Sequence, residues 1–95
     1  MTKVIFRKFA EGDIIAVFPE HAGDFNPSRT CGCYQHTGQH GAITLDFARF
    51  TEPATESEYS DLKNELEGIG YSLSIKKRMD FKSALKARES YFHGL

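Results

Sequence analysis

Ninety-five residues, 40% hydrophobic and 26% charged, can fill one core and not two, because a chain this short buries only about two-thirds of its unfolded surface. Eight Phe and four Tyr supply enough large apolar area to exclude a disordered chain. A net charge of -1 gives no global attraction to a polyanion, and the longest apolar run, Ile14 to Phe18, is far shorter than the roughly 20 residues a membrane helix needs.

Near the N-terminus Lys3, Arg7 and Lys8 interleave with Val4, Ile5, Phe6 and Phe9, without the apolar stretch and small-residue cleavage site of a secretory signal, so the expected location is the cytoplasm. Lys3 to Phe9 and Asp13 to Phe18 are rich in β-branched and aromatic residues, and Ala10-Glu11-Gly12 between them predicts a β-hairpin. Pro19 ends the second strand, and Glu20 to Arg29, with Gly23, Asn26 and Pro27, reads as a loop. Thr30 to His36 predicts a third strand with Cys31, Cys33 and Gln35 on one side and Gly32, Tyr34 and His36 on the other. Ile43, Leu45 and Phe47 alternate with Thr44, Asp46 and Ala48, which suggests a fourth strand, or a short helix, before a break at Thr51-Glu52-Pro53.

Thr55 stands three residues before Glu58 in a capping-box pattern, and Tyr59, Leu62, Leu66 and Ile69 follow at helical spacing. Glu56, Asp61, Lys63 and Glu65 would face water, and Gly68 or Gly70 would stop the helix. Tyr71, Leu73 and Ile75 alternate with Ser72, Ser74 and Lys76 as in a half-buried strand. Phe81, Ala84, Leu85, Arg88 and Phe92 return to helical spacing. The sum is a single α+β domain over residues 1–95: a small antiparallel or mixed sheet of four to five strands with two helices, in the order β-β-β-β-α-β-α. The helices would cover one face and leave the other partly open for contact.

Chemistry concentrates between Cys31 and Gly41, where both cysteines and two of the four histidines share one glycine-punctuated segment. Cys31 and Cys33 are too close in sequence for an unstrained disulfide and would close almost no loop, so reduced thiols are expected. As metal ligands, Cys31, Cys33, His36 and His40 offer the atoms zinc prefers, although strand parity turns His36 away from the sulfurs. A thiol activated by His36 or His40 is a second possibility, without a recognisable third orienting group. Gly38-Gln39-His40-Gly41 could cradle a phosphate with Arg29 or Arg49, but lacks the P-loop lysine. The plainer reading is a strand running into a polar turn, with Tyr34, Gln35, His36, Gln39 and His40 as a binding surface, no catalytic residue and no cofactor.

Charge is uneven along the chain. Five acids and one lysine lie between Glu56 and Glu67, and six bases and one acid between Lys76 and Arg88. Lys76, Lys77, Arg78, Lys82 and Lys86 could follow phosphates, which makes nucleic-acid binding an alternative, while a solvated helix face explains them equally and the net charge argues against a polyanion partner.

Thr2-Lys3-Val4-Ile5-Phe6-Arg7-Lys8-Phe9, Val17-Phe18-Pro19, Tyr34-Gln35-His36 with Gly38-Gln39-His40-Gly41, Pro53-Ala54-Thr55 with Glu58-Tyr59, and Gly70-Tyr71-Ser72-Leu73 span most of the chain. Together they resemble a family of short conserved hypothetical proteins of bacteriophages and mobile genetic elements. That family has no settled biochemical activity, so the resemblance implies a setting and no mechanism. The expectation is a small non-enzymatic interaction protein, an accessory protein that engages an unidentified host protein. The alternatives are a zinc or small-molecule site in the Cys31 to Gly41 segment, and a nucleic-acid surface on the basic C-terminal helix.

Overall fold

Strands β1 (Thr2–Phe9) and β2 (Ile14–Phe18) form the antiparallel hairpin that their composition predicts. The reversal needs a left-handed residue, which Gly12 supplies with φ 101°, and the Phe9 amide donates to the Asp13 carbonyl at 2.9 Å. The computed structural model describes residues 1–24, 26–36 and 38–93, with side chains as far as residue 90. Among them the chain continues through β3 (Thr30–Gln35), β4 (Gln39–Thr44), a 3₁₀ turn at Phe47–Arg49, β5 (Thr51–Pro53), α1 (Glu56–Gly68), β6 (Leu73–Ile75) and α2 (Phe81–His93). The architecture is α+β, as expected.

The sheet runs β4-β3-β2-β1, and the far edge of β1 is shared by two short strands. β5 lies antiparallel along Arg7 to Phe9, and β6 lies parallel along Thr2 to Val4. β5 occupies the stretch expected to be a break. Pro53 sits at its end, opposite Arg7, and the next amide, that of Ala54, donates to the Phe6 carbonyl at 3.2 Å, so the missing proline donor interrupts nothing. β4 also differs from expectation. It starts at Gln39 and ends at Thr44, because pairing along β3 overrides the weak strand propensity of Gln39-His40-Gly41. The chain then turns so that Phe47 is buried from a 3₁₀ turn.

Alternation along the strands sorts the apolar residues into two clusters, one on each face. Val4, Phe6, Ala16, Phe18 and Tyr34 meet Leu62 and Leu66 of α1 on the first. Ile5, Ile15, Val17, Cys31, Cys33 and Ile43 gather with Phe47 on the second, and Met79 packs against them. Arg88 of α2 stands beside Cys31 on the second side, so the helices do not share a face. The partly open face expected from the sequence is therefore covered in part by the 3₁₀ turn and the α2 segment.

Helix α1 begins in the predicted capping box. The Glu58 carboxylate accepts from the Thr55 amide at 2.9 Å and hydroxyl at 3.0 Å. It also accepts from Lys8 Nζ at 2.5 Å, which ties the helix start to β1, and this lysine above all holds the Glu58 carboxyl down to about 2. Tyr59 stacks on Phe6 with ring centroids 4.3 Å apart. Gly70, at φ 112°, provides the left-handed stop, and Ile69, expected on the buried stripe, is 56% exposed at the helix end.

Asp80 caps α2 by accepting from the amide and hydroxyl of Ser83, both at 3.2 Å. Ala84 and Arg88 face inward, but Phe81, predicted to join them, is 60% exposed. Phe81, in the first turn of α2, lines an open groove together with Ile75 and Met79. The side chain of Phe92, expected on the same stripe, lies outside the described residues. Arg88 is not part of a solvated basic face. It is 1% exposed and donates to the carbonyls of Pro19 at 2.6 Å and Pro27 at 2.8 Å, pinning the loop between β2 and β3.

Arg88→Met keeps the buried stem and removes both donors, and is expected to lower the unfolding free energy by about 3 kcal/mol. Arg88→Lys should lose less, because one ammonium can serve one carbonyl. Urea denaturation measures both, and an unchanged midpoint in the Met variant would remove Arg88 from the core.

Candidate functional site

Gln35 pairs with Gln39 across the β3–β4 hairpin, which leaves a three-residue loop of His36, Thr37 and Gly38. Gly38, at φ 78°, occupies the left-handed position such a loop requires, and Thr37 lies outside the described residues. The turn is therefore shorter than the polar turn expected over Gly38 to Gly41, and most of that segment is strand.

Strand parity distributes the expected binding residues over both faces. Tyr34 belongs to the α1 face, where it packs with Phe18 and Leu66, and cross-strand pairing puts His40 beside it. Their rings meet edge to face with centroids 4.7 Å apart. The Tyr34 hydroxyl donates to Glu65 Oε2 and accepts from the Gly38 amide at 3.1 Å. The other oxygen of Glu65 lies 2.9 Å from His36 Nδ1, and His40 Nε2 lies 3.1 Å from the Tyr71 hydroxyl. Tyr71 stacks in turn on Phe18, with centroids 5.3 Å apart. Gln35 and Gln39 point the other way and line a shallow hollow of about 510 Å³ with Phe9, Cys33 and Phe50.

The hairpin thus joins α1 and the segment after it through Glu65 and Tyr71, neither of which the sequence marked as a site residue. Glu65 was expected to face water. It sits on the flank of the Leu62–Leu66 stripe, and only the packing of α1 over β3 brings it to Tyr34, so no local pattern announces it. Chemically the cluster is a latch. Its carboxylate bond raises the Tyr34 hydroxyl above its usual range, so the phenol is held protonated and is a poor nucleophile or base.

Cys31 and Cys33 face the second cluster, away from Tyr34 and His40. The set Cys31, Cys33, His36 and His40 therefore does not converge on a point, and among the described residues no group of three or more His, Cys, Asp or Glu side chains could hold a metal ion. Burial pushes the Cys31 thiol up to about 12 and raises Cys33 as well, against a bond from the Gly41 amide, which opposes the thiolate a nucleophile would need. The phosphate cradle does not form either, because the Gly38 amide is used by Tyr34 and the His40 amide by the Gly38 carbonyl, at 3.1 Å each. Of the alternative nucleic-acid residues, Lys76, Lys77, Arg78, Lys82 and Lys86 are all exposed.

The chain matches no protein-family model, no curated protein and no solved structure. Among the described residues no helix is long and apolar enough to cross a membrane.

The thiols allow a direct check of how deeply β3 is buried. A rise from 9.0 to about 12 lowers the thiolate fraction of Cys31 about a thousandfold at pH 8. Iodoacetamide at that pH should leave Cys31 unmodified in the folded protein, while urea releases both thiols. Labelling of native Cys31 at the rate of a free thiol, followed by peptide mass mapping, would contradict the burial described.

Proposed function

We propose that this protein is a non-enzymatic binding module that engages a partner protein along strand β4 and the hairpin tip beside it. The observation that carries this reading is the state of the β4 edge. β4 is the terminal strand of the sheet, and all of its residues except Ile43 are exposed. Its sequence, Gln39-His40-Gly41-Ala42-Ile43-Thr44, has none of the lysines, prolines or inward charges with which soluble proteins blunt an open edge. Ala42 pairs with Gly32, whose amide bonds the His21 carbonyl at 2.9 Å on the side away from β4. Antiparallel alternation then turns the Ala42 amide outward, available to an added strand.

Exposed His36, Gln39 and His40 flank that edge and supply polar contacts that select a partner. The raised thiols and the protonated Tyr34 support a binding role over a catalytic one. The resemblance to phage and mobile-element proteins supports an accessory role in which the partner is a host protein.

Display selection of random linear peptides against the immobilised protein tests the reading. Recovered peptides should share an alternating apolar pattern, slow hydrogen exchange at the Ala42 and Thr44 amides, and bind at least about tenfold more weakly to Ala42→Pro. The pair His36→Ala with His40→Ala should change which peptides are recovered. Peptides that bind Ala42→Pro as well as the parent, with melting temperatures matched, would remove β4 from the account.

A further inference from the structure

The opposite edge of the sheet holds a second feature. β5 and β6 approach the outer edge of β1 from opposite directions and stop short of each other, at Pro53 opposite Arg7 and at Ile75 opposite Val4. The gap opens into a groove of about 920 Å³, at the upper end of the roughly 300–1,000 Å³ typical of ligand sites. Its floor and walls are largely apolar, with Phe47, Tyr59, Ile75, Met79 and Phe81 among the lining residues. Ile75 and Phe81 are 38% and 60% exposed, so the apolar surface continues out of the groove onto its rim.

Charge around the groove is asymmetric. Lys76, Lys77 and Arg78 line the groove where the chain leaves β6, and Pro53 to Glu56 line it where the chain leaves β5 and the acidic helix α1 begins. Arg7, also in the lining, is already committed: its guanidinium donates to Thr51 Oγ1 at 3.0 Å and to the Thr51 carbonyl at 2.8 Å, and stands over the Phe47 ring. By contrast, among the described residues no ion pair engages Lys76, Lys77 or Arg78. Three adjacent cations that no ion pair engages among the described residues, with Glu20 and Asp80 beside Lys76 and Arg78 in a separate hollow, stand next to exposed apolar side chains and are complementary to a segment that carries both acidic and apolar residues. A nucleic acid fits less well, because its continuous phosphate charge would run from the basic segment toward Glu56 and α1.

We infer that this groove is a second docking site, independent of β4, for a peptide segment of a partner protein in which a short acidic block adjoins apolar anchor residues. The acids meet Lys76, Lys77 and Arg78, and the anchors occupy the space beside Ile75, Met79 and Phe81. With β4 at one edge of the sheet and the groove at the other, the module can hold two segments at once.

Fluorescence anisotropy with a labelled, end-capped peptide Glu-Asp-Glu-Leu-Phe-Ile tests this, beside Lys-Arg-Lys-Leu-Phe-Ile, Glu-Asp-Glu-Ser-Asn-Ser and a single-stranded oligothymidine. The first peptide should bind at least about tenfold more tightly than either peptide control. Joint substitution Lys76→Glu, Lys77→Glu and Arg78→Glu, or Phe81→Ser alone, should weaken it by at least about tenfold, while Ala42→Pro leaves it unchanged. These positions are exposed, and matched melting temperatures confirm that each variant is folded. Absence of binding by the first peptide, equal binding of the basic peptide, or loss of binding in Ala42→Pro overturns the inference. Salt-sensitive binding of the oligothymidine alone would replace the peptide with a polyanion.

Discussion

The outer edge of β1 must be hydrogen-bonded, and no single strand does it. β1 is the longest strand, eight residues, and its middle is fully buried, so an unpaired row of amides and carbonyls along that edge would carry a large desolvation cost. β5 closes its C-terminal half antiparallel and β6 its N-terminal half in parallel. That requirement determines much of the rest. β5 and β6 run in opposite directions along that edge, so the chain has to reverse between them, and α1 carries this crossing over the first face. The Lys8–Glu58 ion pair fixes where that crossover begins, and the left-handed residue Gly70 where it ends.

The same arrangement places the two candidate surfaces. Because β5 and β6 meet β1 head to head, a gap is left between them, and the basic segment that follows β6 lines it. Because both of them are on one side of β1, the sheet grows on the other side only through the two hairpins, and β4 is left as an open edge. The Tyr34–Glu65–His36 cluster then anchors the tip of the second hairpin to the crossover helix, so the exposed edge is presented on a fixed support. For the binding role proposed, an edge held this way loses less conformational entropy on association than a free loop would.

Local rules made some of this legible in the sequence. The first hairpin follows from alternation and Gly12, the start of α1 from Thr55 and Glu58, and the opposed directions of Cys33 and Tyr34 from strand parity. What escaped was non-local. Gln39-His40-Gly41 has little strand propensity of its own and is extended because β3 lies beside it. Thr51-Glu52-Pro53 looked like a break, since a proline excludes a central strand but is tolerated at a strand end on a sheet edge. Arg88 falls on the inward stripe of α2 by spacing, but the partners that accept its charge, two proline carbonyls distant in sequence, leave no local sign. Glu65 looked like one more acid on a wet helix face until α1 packed over β3. In each of these cases the deciding partner is more than 30 residues away or on another strand, where no window of local sequence reaches.

Native-state hydrogen exchange along β1 tests the closure of its outer edge most directly. The amides of Ile5 and Arg7 face β2, and by strand alternation those of Val4 and Lys8 face β6 and β5. If the edge is closed by both short strands, all four should exchange only through global unfolding, with matching free energies and a common dependence on denaturant. Val4 and Lys8 exchanging near the rate of an unprotected amide, while Ile5 and Arg7 stay protected, would show the edge open and contradict the account.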